Sequence, residues 1–322
     1  MSADGLLLAG DLGGTKALLA LFDAQGARFE RRYACGEFAS FAALLERFRA
    51  EAGAALGEVP RIARASLGVA GPVTGNRVRV TNLGWEIDGR ALGVAKVRLL
   101  NDFEAAAHAL DGLTQDDLVT LQPGAPRARA PRLLIGAGTG LGVAIVLGRG
   151  RRLRVVAGEG GHAAFAPADA LQEALLKHLR RDFGRVELEH VVSGAGLARI
   201  HRFLRETGQG TKPAARVADD PADAISRAAL EGNDPLALAA LDLFIACYGA
   251  AAGDYALAVL ARGGVYVAGG IAPHILGRLR AGGFAAAFNA KAAFAGAARA
   301  CPLHVVTNER LGLLGAAAAA PR

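Results

Sequence analysis

Two stretches far apart in this chain are built on one plan. The first runs Leu6-Leu-Leu-Ala-Gly-Asp-Leu-Gly-Gly-Thr-Lys-Ala-Leu-Leu-Ala-Leu-Phe22, and the second Arg132-Leu-Leu-Ile-Gly-Ala-Gly-Thr-Gly-Leu-Gly-Val-Ala-Ile-Val-Leu147. Each is an apolar run, a Gly/Thr turn and a second apolar run, which is the signature of a β-hairpin. Using this device twice commits the chain to sheet structure around two glycine-rich turns. At 322 residues the chain favours two domains over one.

Between and beyond the hairpins, helical and strand patterns alternate, as in an α/β protein. Leu44, Leu45 and Phe48 recur at helical spacing within Phe41–Glu51, Ala65–Val69 reads as a strand, and Gly71-Pro72 as a turn. Val97–Leu100 is a short strand, broken by Asn101-Asp102 and followed by the helix formers Glu104–Leu110. Past the second hairpin, helices are expected at Ala170–Asp182, Gly194–Glu206, Pro221–Gly232 and Leu236–Leu260. Val265–Ala268 reads as a buried strand that ends at Gly269-Gly270, with Pro273 near the first turn of the next helix. Leu303–Thr307 is the last strand candidate, and Gly208–Asp220 an exposed connection.

Composition narrows the function class. Hydrophobic residues reach 52%, but Asp242 and Asp254 interrupt the most apolar stretch, Leu236–Ala261, so it reads as a buried helix and no membrane span is expected. No Lys or Arg precedes the Leu6–Leu8 run, so the start lacks the charged region of an export signal. Cys35, Cys247 and Cys301 are widely spaced and odd in number, which suits a reducing cytoplasm better than a disulfide framework or a zinc site. A formal charge of +7 raises the question of nucleic acid, yet the densest basic cluster, Arg149–Arg154, reads as a solvated hairpin turn. The charge suits small anionic ligands.

The polar residues beside the turns carry the chemistry. Asp11-Leu-Gly-Gly-Thr-Lys16 and Gly136-Ala-Gly-Thr-Gly-Leu-Gly142 present backbone N–H groups with no Cβ to bar a phosphate, and Thr15 and Thr139 add hydroxyls. Neither turn has the Gly-Lys-Ser/Thr of a Walker loop, and both lead into strands, so a different nucleotide fold is implied. Asp11 could hold Mg²⁺ through water or simply cap its turn. Asn101-Asp102 is either a helix cap or the place where a carboxylate takes a proton from an attacking alcohol. Gly158-Glu-Gly-Gly-His162 sets an acid and an imidazole among glycines, suited to a small polyhydroxylated ligand or to an ordinary polar loop. Glu189 alone would be a surface carboxylate. Gly269-Gly270 fits close approach of a flat ligand or of a neighbouring backbone.

In this order the motifs resemble the bacterial glucokinase family, within the sugar kinase, actin and Hsp70 ATPase group. They are Gly10-Asp-Leu-Gly-Gly-Thr15, Gly71-Pro-Val-Thr-Gly75, Thr81-Asn82 with Trp85, Leu100-Asn-Asp-Phe103, the Gly136–Gly142 turn, Gly158-Glu-Gly-Gly-His162, Glu189 before Ser193-Gly-Ala-Gly196, and Gly269-Gly-Ile271. The resemblance implies an actin-like ATPase (ribonuclease H-like) α/β fold with two domains around a central cleft. The small domain is expected over residues 1–110 plus 305–322 and the large one over 111–304. It further implies ATP held by Gly10, Asp11, Leu12, Gly13, Gly14, Thr15, Gly138, Thr139 and Gly140, with Gly269 and Gly270 near the adenosine. Asn101, Asp102, Glu159, His162 and Glu189 would bind the sugar, with Asp102 as the base for the 6-hydroxyl and Asp11 on Mg²⁺ through water. Asn82 is a further, weaker sugar candidate.

The implied activity is ATP-dependent phosphorylation of D-glucose by a homodimer. The alternatives are a kinase for mannose, fructose or an N-acetylhexosamine, or a non-catalytic sugar-sensing regulator. The clustered cysteines of the zinc-bearing relatives are missing, which favours the zinc-free branch, and Thr307–Leu314 is less typical of the family's closing segment.

Overall fold

The computed structural model describes residues 5–80, 83–208, 222–232 and 234–321. The chain forms two compact units, one made of Met1–Leu113 with Asn308–Arg322 and the other of Thr114–Thr307.

The first unit is built on a five-stranded sheet. Strands β1 (Leu6–Leu12) and β2 (Lys16–Asp23) form the first hairpin, and β3 (Gly26–Ala34) extends it antiparallel. On the other side β4 (Ile62–Val69) runs parallel to β1; three short strands follow it, β5 (Val73–Thr74), β6 (Arg77–Arg79) and β7 (Glu86–Asp88), and pair among themselves. Strand β8 (Lys96–Asn101) completes the main sheet in the order β3-β2-β1-β4-β8.

Alternation along these strands sorts side chains by size. Leu8, Leu12, Leu19 and Leu21 face helix α1 (Phe41–Leu56), which buries Phe41, Leu44, Leu45 and Phe48 against them. Each such side chain contributes roughly 1.5–3 kcal/mol. The Ser40 hydroxyl accepts from Ala43 N–H at the start of α1, and Gly57, at φ +75°, ends it.

The opposite face carries the smaller Ala9 and Ala20 with Leu18, and there the C-terminal helix Leu311–Ala318 lies with helix α2 (Asp102–His108). Small residues let these backbones come close. A Cβ on Gly315 would strike the Ala105 carbonyl, and one on Gly312 would strike the Asp11 carboxylate. Arg310 bonds Glu30 at 2.6 Å and ties the start of this last segment to β3.

The second unit holds a six-stranded sheet. Strands β9 (Leu118–Gln122), β10 (Arg132–Ala137), β11 (Leu141–Leu147), β12 (Arg154–Gly158), β13 (Gly264–Ala268) and β14 (Leu303–Val306) are ordered β12-β11-β10-β13-β14-β9. Strand β10 is buried along its whole length, antiparallel to β11 and parallel to β13.

Helices α3 (Ala170–Phe183), α4 (Gly194–Thr207), α5 (Ala222–Leu230) and α6 (Pro235–Val259) contribute the core around it. The buried Asp234 caps α6 through Leu236 and Ala237 N–H, and Pro235 opens it. By length and apolarity α6 could cross a membrane, but 72% of its most apolar window is buried inside this unit, where it is the core helix. The Arg149–Arg154 cluster lies at the β11–β12 hairpin and is largely exposed, as a solvated turn should be. Most of the Gly208–Asp220 connection, together with Thr81 and Asn82, lies outside the described residues.

Candidate active site

In the first unit Asn101 and Asp102 take different places at the start of α2. Asn101 is the cap: its Oδ1 accepts from Phe103 N–H at 2.9 Å and from Glu104 N–H at 3.2 Å, while its Nδ2 donates to the Gly71 carbonyl at 3.5 Å. That leaves Asp102 as the first helical residue, with Oδ1 accepting Phe103 N–H at 2.8 Å. The carboxylate is thereby fixed at a positive helix end. Its backbone passes close to Gly68 of the neighbouring strand, where a Cβ would press on Ala105 and on the Asp102 Cα.

The first glycine turn divides by role. Gly10 and Leu12 serve packing: Leu12 is buried, and a Cβ on Gly10 would collide with the Leu19 and Leu67 side chains. Gly13, Gly14 and Thr15 form the accessible turn, closed by Gly13 N–H on the Lys16 carbonyl at 2.9 Å and steadied by Cys35 N–H on the Thr15 carbonyl at 2.8 Å. Asp11 points to the sheet face covered by the C-terminal helix. Burial, with the Asp102 carboxylate adding repulsion, pushes its pKa up to about 6 against the pull of Arg32.

A carboxylate pair of this kind is relieved by a cation, which fits the expected Mg²⁺ near phosphate. Among the described residues no group of three His, Cys, Asp or Glu side chains gathers to cage a metal.

In the second unit, the turn Gly138–Gly140 is closed by Gly138 N–H on the Gly140 carbonyl at 2.8 Å, with Thr139 exposed at its tip. Gly194 N–H, at the start of α4, donates to the Gly138 carbonyl at 2.9 Å. Gly269, at φ +84°, sits so close to Ala137 that a side chain would strike its backbone, and Gly270 lies beside Gly138. Both close backbone approach and an open face for a flat ligand are therefore present, since Gly269 and Gly270 are exposed. The buried Tyr248 hydroxyl accepts Ala137 N–H at 3.0 Å and donates to the Ile135 carbonyl at 3.2 Å, just before the turn.

Glu189 is no loose surface carboxylate. Its Oε2 accepts Leu141 N–H at 2.9 Å, its backbone carbonyl accepts the Ser193 hydroxyl at 2.7 Å, and its carboxylate stands over Gly140. The loop Gly158–His162 rests on the sheet through Gly160 and Gly161, where side chains would strike Val143 and Leu141, and Tyr255 donates to the Gly160 carbonyl at 2.6 Å. Glu159 and His162 are exposed.

One partner was absent from the sequence reading: Glu187, whose Oε2 lies 2.7 Å from His162 Nδ1. Nothing local in the sequence marks this pair. A β-bridge between Ala164 and Glu187 creates it.

The mixed sheets, each with a glycine-turn hairpin beside parallel strands, are those of the actin-like ATPase fold of sugar kinases. Two crystal structures share the fold: a glucokinase from an Antarctic psychrotroph (TM-score 0.82, 31% identity, 98% of each chain) and one from Balamuthia mandrillaris solved with glucose (TM-score 0.78, 21% identity, 98% of this chain and 94% of that one). The family model "Glucokinase" matches residues 8–322, and a glucokinase of Synechocystis sp. is 40% identical over 99% of each chain. This chain belongs to the glucokinase family.

Proposed function

We propose that this chain transfers the γ-phosphoryl group of ATP to the 6-hydroxyl of D-glucose, giving ADP and glucose 6-phosphate for glycolysis. Family membership supports the reaction, and the observation that carries its mechanism is the division of labour at Asn101-Asp102. Asn101 caps the helix through Phe103 and Glu104 N–H, and Asp102, the first helical residue, has its carboxylate held at the helix N-terminus by Phe103 N–H, where it is placed to meet a sugar hydroxyl. As O6 attacks the γ-phosphorus, the O6–P bond forms, the bond to the ADP oxygen breaks and Asp102 takes the O6 proton. Phosphoryl transfer asks for in-line placement and charge stabilisation more than covalent help.

The N–H groups of Gly13–Thr15 and Gly138–Gly140 hold phosphate oxygens, with Asp11 near a Mg²⁺ ion that neutralises phosphate charge when bound. Gly269 and Gly270 lie against the adenosine. Asn101 Nδ2, Glu159, His162 and Glu189 hold sugar hydroxyls. The two compact units serve as the family's small and large domains. Three free, buried cysteines suit a cytoplasmic location, and the assembly we propose is a homodimer.

The test is ADP release, followed by a coupled assay across glucose, mannose, fructose and N-acetylglucosamine. Turnover is expected with glucose as the best substrate. Glucose binding without turnover would instead define a sugar-sensing protein, and a higher kcat/KM for another hexose would reassign the substrate.

A further inference from the structure

The loop that carries His162 is held from the side by a segment to which the sequence gives no functional signal. Phe165 N–H donates to the Val186 carbonyl at 3.0 Å and Leu188 N–H to the Ala163 carbonyl at 2.8 Å, so residues 163–165 and 186–188 pair as a short antiparallel ladder. This pairing sets Glu187 beside the imidazole, with Oε2 at 2.7 Å from Nδ1. Arg185 completes a clamp: its Nη1 donates to the other Glu187 oxygen at 3.0 Å and its Nη2 to the His162 carbonyl at 3.1 Å.

We propose that Glu187 is a positioning residue for glucose, fixing the His162 ring through Nδ1–H so that Nε2 is the nitrogen offered to a sugar hydroxyl. The inference rests on the reading of His162 as a sugar ligand.

Three observations support it. A histidine donating one ring N–H to a carboxylate has its tautomer and its rotation about the Cβ–Cγ bond set by that partner. His162 Nε2 lies 3.9 Å from Glu159 Oε2, beyond hydrogen-bond distance, so this nitrogen is turned towards a second sugar-binding candidate while remaining available. Glu187 is itself anchored by Arg185, and its side chain is 22% exposed where that of Glu159 is 77% exposed.

The titratable and charged neighbours are Glu187, Arg185, Glu189 and the neutral His190, whose Nδ1 accepts Glu187 N–H and whose pKa burial lowers, from the facing segment, and Glu159 from the same loop. The hydrogen bond to Glu187 raises the His162 pKa above its ordinary value, with smaller contributions from Glu189 and Glu159, and His162 in turn holds the Glu187 carboxyl low.

The test compares Glu187→Ala, Glu187→Gln and His162→Asn in the full-length enzyme. Glu187→Ala should raise the glucose KM about tenfold, which corresponds to ~1.4 kcal/mol, while the ATP KM and kcat stay within about threefold. Glu187→Gln keeps an oxygen acceptor for Nδ1–H and should recover much of that loss. It should also lower the His162 pKa read from its ring NMR resonances, which confirms the contact in solution, while the change confined to glucose KM and its rescue by Gln separate positioning from a merely structural contact. If His162→Asn raises the glucose KM and Glu187→Ala leaves it within twofold, the positioning role is refuted while His162 keeps its place. If His162→Asn also leaves glucose affinity unchanged, the sugar-ligand reading falls and the role of Glu187 falls with it.

Discussion

The Tyr248 hydroxyl offers a direct test of how the Gly138–Gly140 turn, our proposed ATP site, is held. It is fully buried and bridges Ala137 N–H and the Ile135 carbonyl at the end of β10, immediately before Gly138. Tyr248→Phe removes one oxygen and little volume, so the ring keeps its edge-on contacts with Phe244 and Phe284. What is lost is the acceptor for a buried backbone N–H, which costs about 1–3 kcal/mol when nothing replaces it. Taking about 2 kcal/mol, the melting temperature should fall by about 4–8 °C for a unit of this size. The strand end should also loosen, raising the ATP KM several-fold with a smaller effect on glucose. Thermal unfolding followed by circular dichroism, with both KM values from the coupled assay, checks this. A melting temperature lowered by less than about 1 °C, with unchanged ATP KM, would mean that Ala137 N–H finds another partner and that the turn does not depend on this hydroxyl.

Asp102→Asn should bind glucose with an affinity close to that of the parent and lose about 10²–10⁴ in kcat, because the amide cannot take the proton; near-normal turnover would remove Asp102 from the mechanism. Gly315→Ala should destabilise the first unit by about 1–3 kcal/mol, since its methyl meets the Ala105 carbonyl across two packed helices, and urea unfolding measures it.

Asp11 gives a pH signature. With its folded pKa raised to about 6 from 3.8, the native state binds the proton more tightly than the unfolded chain, so stability falls as pH rises from about 4 to about 6 and stays lower above that. Asp11→Asn should therefore stabilise the protein at pH 7 by up to about 3 kcal/mol, show little gain near pH 4, and lower activity; equal melting temperatures of variant and parent at pH 7 would contradict the shift.

Local pattern made much of this fold legible. Both hairpins followed from apolar runs around glycine turns, and β4, β8, β13, α3, α4 and α6 matched their periodicity because each buries a strong apolar face or run. Strand β3 did not stand out, since its side chains are mostly solvated and polar and it is held by pairing with β2. The three short strands Val73–Asp88 escaped for a similar reason: two of them bury one residue each, Val78 and Ile87, and the first buries none.

At the site, sequence supplied the candidates but did not say which of Asn101 and Asp102 is the cap, because Asn and Asp are both favoured before a helix; the structure makes it Asn101. Glu187 was illegible on its own terms: its partner lies 25 residues away, and only the ladder between the two segments brings them together.

Tyr248 and Tyr255 sit seven residues apart on α6, two turns along one face of a single rod, roughly 10 Å from one another. One phenol supports the strand end before the Gly138–Gly140 turn, and the other holds the Gly160 carbonyl of the loop with Glu159 and His162. A helix whose composition would suit a lipid bilayer is thus the common strut under the two segments that we propose bind ATP and glucose. Any substitution that tilts or slides it should disturb affinity for donor and acceptor in step, a correlation that changes confined to either loop would lack.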